Sequence, residues 1–159
     1  MATMTRRLAT VAVAITATVA ATVVVAAGPA SASPVSAAGR INGSCGPKAS
    51  AFDTDGSTSH VERDVHVGLG AHVHLSRGDH PTYGLVWWGR ITKAPNGSKV
   101  WMDWSDDGGN NWHQCGPFRV DGSQGPQDRW TWAVNEVRGR TFRACGSVPG
   151  IRSSCTSWL

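Results

Sequence analysis

Apolar and polar positions alternate along much of the chain, and this period of two is typical of β-strands. Over residues 61–75 the odd positions are almost all apolar, whereas the even positions are mostly polar or glycine. Gly68 and Gly70 interrupt this run and predict two strands joined by a turn or bulge. Further strands are predicted over residues 83–91, 100–104, 112–120, 130–137 and 141–147.

Short polar segments rich in Gly, Pro and Asn separate these strands. Residues 94–97 (APNG) predict a hairpin turn, residues 105–111 a tight loop, and Arg138-Gly139 a last hairpin between the two final strands. No segment beyond the N-terminal region shows a helical period. The pattern predicts an all-β domain over residues 61–159, built as a small antiparallel sandwich or barrel.

The N-terminal segment has the features of a secretory signal peptide. Arg6 and Arg7 precede an apolar run over residues 8–27, and Gly28-Pro29 is followed by the small-residue sequence Ala30-Ser31-Ala32. We therefore predict a signal peptide over residues 1–32, secretion, and no membrane association after cleavage. A membrane anchor is the alternative, which the Ala/Thr-rich run and the adjoining cleavage site disfavour.

Residues 33–60 are rich in Ser, Gly, Ala and Thr and lack hydrophobic patterning. They predict an extended arm that is attached to the domain once, at Cys45. An extended arm of this kind can add to a partner as a strand or dock in its groove.

The charge of the chain gives little support for a nucleic-acid partner. Removal of Arg6 and Arg7 with the signal lowers Lys+Arg from 15 to 13 against 11 acidic residues, so the net charge falls from +4 to +2. No block of five or six basic residues remains. We therefore predict no nucleic-acid binding.

The four cysteines are even in number, which fits disulfides in an oxidising compartment. Three pairings are possible. We favour Cys145–Cys155, which closes a short loop, and this choice leaves Cys45–Cys115. A zinc site is the rival interpretation, but the chain has no C-x-x-C pair.

One short motif, S-x-D-x-G-x-x-W, spans residues 105–112. Its defining residues are Ser105, Asp107, Gly109 and Trp112. The Asp107 carboxylate is expected to accept hydrogen bonds from the loop's own N–H groups, and Gly109 to adopt a backbone angle that other residues resist. The motif resembles the Asp-box of sialidases and other secreted β proteins. In those families the box is a structural β-hairpin, so the resemblance implies a hairpin and no sialidase activity.

A broader likeness spans residues 60–159. The segments WGRI (88–91), VWMDWSDDGG (100–109), RACG (143–146) and CTSW (155–158), with Trp112, resemble short secreted actinobacterial proteins of uncharacterised function. The resemblance implies an extracellular, disulfide-bonded β domain. It brings no active-site residues with it.

Metal chemistry has two weak candidates. His72-x-His74 has the spacing that places two imidazoles side by side on a strand, but no third ligand is fixed, and we predict no metal site and no cofactor. Asp103, Asp106 and Asp107 are candidates for calcium binding, yet turn chemistry explains them and their spacing is not that of an EF-hand.

Tryptophan is the strongest functional signal, with eight residues in the chain. Alternation places Trp101 with Asp103 on one strand face and Trp88 with Arg90 on another. Exposed aromatic rings beside polar groups suit sugar stacking or a protein interface, although many such rings also pack in cores. Trp88, Arg90, Trp101 and Asp103 are therefore our candidate binding residues.

Three functional hypotheses follow. The first is a non-enzymatic module that binds another secreted protein, as an adaptor subunit of an extracellular assembly such as a toxin particle, or as an inhibitor of a secreted enzyme. The second is a module that binds a cell-surface polysaccharide through its exposed tryptophans. The third is a small hydrolase that uses Asp103 or Asp107. The chain has no G-x-S-x-G motif, and no catalytic residues are predicted.

Overall fold

The computed structural model describes residues 39–41, 45, 49–123 and 127–159, which form ten strands and one short 3-10 turn. The described part contains no α-helix, which confirms the predicted all-β class. The elements are β1 (Gly39–Ile41), η1 (Ala51–Asp53), β2 (His60–Gly68), β3 (Ala71–His80), β4 (Gly84–Thr92), β5 (Lys99–Ser105), β6 (Asn111–Arg119), β7 (Arg129–Trp130), β8 (Val134–Asn135), β9 (Thr141–Ser147) and β10 (Ser154–Cys155).

The strands form two sheets. Sheet one has the order β1-β6-β5-β9-β10, and sheet two has the order β2-β3-β4-β7, with β8 also paired to β4. All neighbouring strands are antiparallel except β1 and β6, which are parallel. Strand β5 lies at the centre of sheet one, between β6 and β9.

The two sheets pack face to face around one hydrophobic core, and the fold is therefore a sandwich. Sheet two contributes Val73, Leu75 and Ile91, all fully buried. Sheet one contributes Val100 and Met102, which are also fully buried. The period of two in the sequence produces this arrangement, because alternate residues of each strand face the opposite sheet.

Two of the predicted hairpins are wrong. Residues 94–97 join β4 to β5, which belong to different sheets, and Arg138-Gly139 lies between β8 of sheet two and β9 of sheet one. The predicted strand over residues 130–137 is also divided. In its middle, Thr131 N–H still donates to the Gly89 carbonyl oxygen (2.9 Å), but Gly89 N–H donates to the Thr131 hydroxyl (3.0 Å) and not to a backbone carbonyl. Ala133 pairs with Ala49.

Both predicted disulfides are confirmed. Cys45–Cys115 joins the N-terminal segment to β6, and Cys145–Cys155 joins β9 to β10. They enclose sequence separations of 70 and 10 residues. The chain-entropy model gives about 4.4 and about 2.7 kcal/mol of stabilisation for loops of these lengths. The bonds indicate an oxidising, extracellular-type environment.

The predicted signal peptide, residues 1–32, lies outside the described residues. Within the predicted arm, β1 pairs with β6, Cys45 forms its disulfide, and Ala49 forms a bridge with Ala133. The described part of the arm is therefore attached to the domain at more points than the single disulfide that the sequence predicts.

The sheets approach closely at Gly146. The core-facing residues of β9 become smaller along the strand, from Phe142 to Ala144 to Gly146. A Cβ atom on Gly146 would lie 2.5 Å from Val73 Cγ2 and 2.9 Å from the Lys99 carbonyl oxygen. The missing side chain thus allows the local spacing between the sheets.

We predict that Gly146→Ala lowers the free energy of unfolding by about 1–3 kcal/mol, because the added methyl group overpacks the core. Urea denaturation measures this loss as a lower midpoint with an unchanged slope. Gly56→Ala is the matched control, because nothing lies within 4 Å of a Cβ at that position. Equal stability of the two variants would contradict the prediction.

Candidate interaction surface

The outer face of sheet one carries aromatic and charged side chains. Val100 and Met102 of β5 face the core, so Lys99, Trp101 and Asp103 face the other way. This alternation confirms that Trp101 and Asp103 share a face.

Asp103 forms an ion pair with Arg143 of β9, the residue directly opposite it in the ladder. Arg143 Nε lies 2.9 Å from Asp103 Oδ2. The guanidinium is placed between two indoles, with its central carbon 5.0 Å from the Trp112 ring centroid and 4.5 Å from that of Trp158. We call these four residues the Arg143 cluster. Its two indoles are half-buried, so part of each ring faces solvent.

Asp103 is only 1% exposed, although the sequence suggests it as a binding residue. A buried carboxylate requires a charged or hydrogen-bonding partner, since desolvation strongly disfavours an isolated ion. Arg143 supplies that partner, and its own side chain is 23% exposed. Asp103 therefore positions Arg143, and Arg143 is the charged group that a ligand can reach.

Trp101 borders a second feature of the same face, which we call the Trp101 depression. It is open to solvent, with a volume of about 400 Å³. The half-buried Trp101 ring contributes an aromatic surface, and the remaining lining is mixed polar and apolar. The lining residues are Lys99, Trp101, Gln114, Pro117, Ser147, Ile151 and Ser153.

The other two candidate binding residues lie on the outer side of sheet two. Trp88 is 5% exposed, so the expectation of an exposed ring is wrong for this residue. It packs in a small second cluster with Ala49 and Ala133, which the N-terminal segment and the β7–β8 region bring over the sheet. Arg90 pairs with Asp128 at 2.7 Å and lies over the Trp130 ring at 4.6 Å.

The loop between β5 and β6 is a hairpin organised by the Asp107 carboxylate. Its Oδ1 accepts hydrogen bonds from Asn111 N (2.8 Å) and Ser105 Oγ (2.7 Å), and its Oδ2 accepts one from Asn111 Nδ2 (2.7 Å). These bonds, led by the Asn111 backbone N–H, lower the pKa of Asp107 from 3.8 to about 2. Gly109 has a φ of +90°, as expected from the motif.

Two histidines of β3, His72 and His74, lie beside one carboxylate of β2. Asp64 lies 3.2 Å from His72 Nδ1 and 3.0 Å from His74 Nδ1. Burial lowers the pKa of His74, although Asp64 partly opposes this effect. Among the residues that the structure describes, no group of three or more His, Cys, Asp or Glu side chains is placed to hold a metal ion.

Sequence reasoning did not identify Arg143 as a site residue. The alternation of Phe142 and Ala144 in the core places Arg143 on the outer face, and that signal is present in the sequence. Its pairing with Asp103, 40 residues away, depends on β5 and β9 being neighbours, which no local pattern shows.

The chain's only two glutamates form another group that the sequence did not suggest. Glu62 and Glu136 line one depression with Arg77 and Trp87. Each carboxylate has a partner: Arg77 Nε lies 2.6 Å from Glu62, and Trp87 Nε1 donates to Glu136 at 2.9 Å. Both glutamates therefore take part in contacts within the domain.

Comparison with known proteins adds no relative from which a function could be transferred: no family model, curated protein or solved structure matches this chain. Across residues 39–41, 45, 49–123 and 127–159, no helix is long and apolar enough to cross a membrane.

We predict that Asp103→Asn lowers the free energy of unfolding by about 1.5–3 kcal/mol, because the charge-assisted hydrogen bond between Asp103 and Arg143 is lost, whereas the partly exposed Arg143 remains solvated. Chemical denaturation measures the loss. Asp53→Asn, at an exposed position, is the control and should change stability little. Wild-type stability of Asp103→Asn would show that Asp103 does not anchor the cluster.

The lowered pKa of Asp107 predicts that the stability of the fold depends on pH in the acidic range. The folded pKa is below the unfolded value, so the carboxylate stabilises the fold above about pH 4, and this contribution is lost as the pH falls towards about 2. We expect Asp107→Asn to melt at a lower temperature than the wild type near neutral pH. This difference in melting temperature should become smaller as the pH is lowered. A difference in melting temperature that stays constant from pH 6 to pH 2 would contradict this prediction.

Proposed function

We propose that this protein is a secreted, non-enzymatic interaction module that binds another secreted protein through the outer face of sheet one. The observation that carries the proposal is the Arg143 cluster, in which a guanidinium is held between two half-buried indoles. Trp101 extends the aromatic surface along the same face. The partner is expected to use the protein as an adaptor subunit of an extracellular assembly, or to be an enzyme that it inhibits.

Trp and Arg, together with Tyr, are enriched among the residues that dominate binding energy at protein interfaces. Arg143 is held in place before binding by Asp103, Trp112 and Trp158, so little side-chain entropy remains to be lost on association. The cluster lies on paired β-strands of a disulfide-bonded sandwich, which gives it a rigid support.

Secretion is part of the proposal and is supported by two independent features. Residues 1–32 have the sequence pattern of a signal peptide, and the domain is cross-linked by two disulfides. Structural disulfides form and persist in oxidising compartments.

The test is purification from culture fluid through a tag placed after Leu159, followed by mass spectrometry of companion proteins. We expect a stoichiometric companion, whose recovery falls at least roughly tenfold in Trp112→Ala because an anchor ring is removed. Trp132→Ala is the matched control, because its indole is 40% exposed and lies outside the Arg143 cluster.

Melting temperature and near-ultraviolet circular dichroism establish that each variant is folded. Recovery of the protein from culture fluid as a monomer with no co-purifying protein would contradict the proposal. Equal recovery of the companion by Trp112→Ala and Trp132→Ala would exclude the Arg143 cluster as the binding surface.

Polysaccharide binding is a second candidate function, and the Trp101 depression favours it. An aromatic ring beside an amide and two hydroxyl groups, those of Gln114, Ser147 and Ser153, suits the apolar face and hydroxyl edge of a sugar. Trp101→Ala should then reduce retention on a polysaccharide without unfolding the domain.

The hydrolase alternative draws no support from the two aspartates that suggested it. Asp103 is buried beneath Arg143, and Asp107 is occupied by the hydrogen bonds of its own loop. A pKa of about 2 makes Asp107 a poor proton donor near neutral pH.

A further inference from the structure

Two cations stand side by side at one end of the outer face of sheet one. Lys99 of β5 and Arg119 of β6 are directly opposite each other in the antiparallel ladder, and both are exposed. Their neighbours Val100 and Phe118 pack on the core, so Lys99 and Arg119 both face outward. Cβ atoms of opposed residues lie about 4.5–5.5 Å apart, and like charges in such a pair destabilise the sheet.

Among the residues that the structure describes, no carboxylate forms an ion pair with either cation. All 11 aspartates and glutamates lie in the described part of the chain, and the ion pairs found there include neither Lys99 nor Arg119. Asp103 is the acidic residue of β5 on the same face, and it is buried against Arg143. The two cations are therefore available to an anionic ligand.

The cation pair adjoins the Trp101 depression. Lys99 lines the depression and lies two residues before Trp101 on the same strand face. Arg152, which is exposed, lies between the lining residues Ile151 and Ser153. Positive charge is thus concentrated beside an aromatic ring and neutral polar groups.

We propose that the Trp101 depression binds an acidic, uronic-acid-containing polysaccharide, whose sugar ring stacks on Trp101 and whose carboxylates contact Lys99 and Arg119. This inference rests on the second candidate function, polysaccharide binding, and specifies its substrate class. It does not depend on the Arg143 cluster or on a protein partner.

The shape of the site favours a sugar chain over an acidic protein surface. The depression is open and has a volume of about 400 Å³, within the range of small-ligand sites. A polymer can extend across an open depression. The Trp101 ring then provides the stacking contact, and Lys99 and Arg119 bind the carboxylates of the polymer.

The experiment is affinity electrophoresis and titration calorimetry of the oxidised protein with polygalacturonate and hyaluronate. Fully methyl-esterified polygalacturonate is the neutral counterpart, because it keeps the sugar backbone and removes the charge. We expect binding to at least one acidic polymer to be at least roughly tenfold tighter than to the neutral one, and to weaken with added salt.

Three variants test the residues. Trp101→Ala should weaken binding to the acidic polymer at least roughly tenfold through loss of stacking. The double variant Lys99→Gln/Arg119→Gln should weaken it to a similar extent and leave the weak binding to the neutral polymer unchanged. The double variant Lys93→Gln/Arg138→Gln is the matched control, since it also removes two positive charges at exposed positions, outside the lining of the depression.

The outcomes separate the charge inference from the polysaccharide function. Equal binding to acidic and neutral polymers, abolished by Trp101→Ala, would keep polysaccharide binding and overturn the acidic specificity. Equal weakening by both double variants would overturn the site, since net charge alone would then explain the binding. Failure to bind any of the polymers would overturn both, and a protein companion that depends on Lys99 and Arg119 would identify an acidic protein as the ligand instead.

Discussion

The ion pair between Asp103 and Arg143 organises the outer face of sheet one. A carboxylate in the middle of a sheet and nearly inaccessible to water requires a charged or hydrogen-bonding partner, and that partner then has a fixed position. Arg143 is the partner, and its planar guanidinium is the surface on which Trp112 and Trp158 pack. Because Trp158 also lies against Gly109 of the hairpin loop, one buried charge links three strands (β5, β6 and β9), a loop and the C-terminal segment.

The two ends of this face differ in their electrostatics. Around Arg143 the positive charge is matched by a buried carboxylate, and the exposed surface is mainly aromatic. At Lys99 and Arg119 the positive charge is unmatched, and the surface is cationic and hydrophilic. A face of this kind offers stacking and cation contacts at one end and long-range attraction for anions at the other.

Much of the fold could be predicted from the sequence because it depends on local chemistry. Alternation identifies β-strands and their core faces, and cysteine spacing with the short loop between Cys145 and Cys155 favoured the correct disulfides. The hydrogen bonds of the hairpin loop follow from the side chains of Ser105 and Asp107. These features need only the order of residues along one strand or one turn.

The remaining features depend on which strands become neighbours. A turn sequence such as residues 94–97 does not reveal whether the next strand stays in the same sheet, and here it crosses to the other one. The burial of Trp88 depends on the N-terminal segment around Ala49, and the burial of Asp103 depends on β9. Exposure could therefore not be assigned to individual tryptophans from the strand pattern alone.

The disulfide Cys145–Cys155 connects the redox environment to the candidate sugar site. Cys145 is opposite Trp101 in the ladder, and the loop that the disulfide closes carries Ile151 and Ser153, which border the depression. A closed loop of this length has far fewer conformations than an open one, so its border residues lose little entropy when a ligand binds. The same bond that stabilises the domain in an oxidising compartment thus also holds one wall of the depression in place.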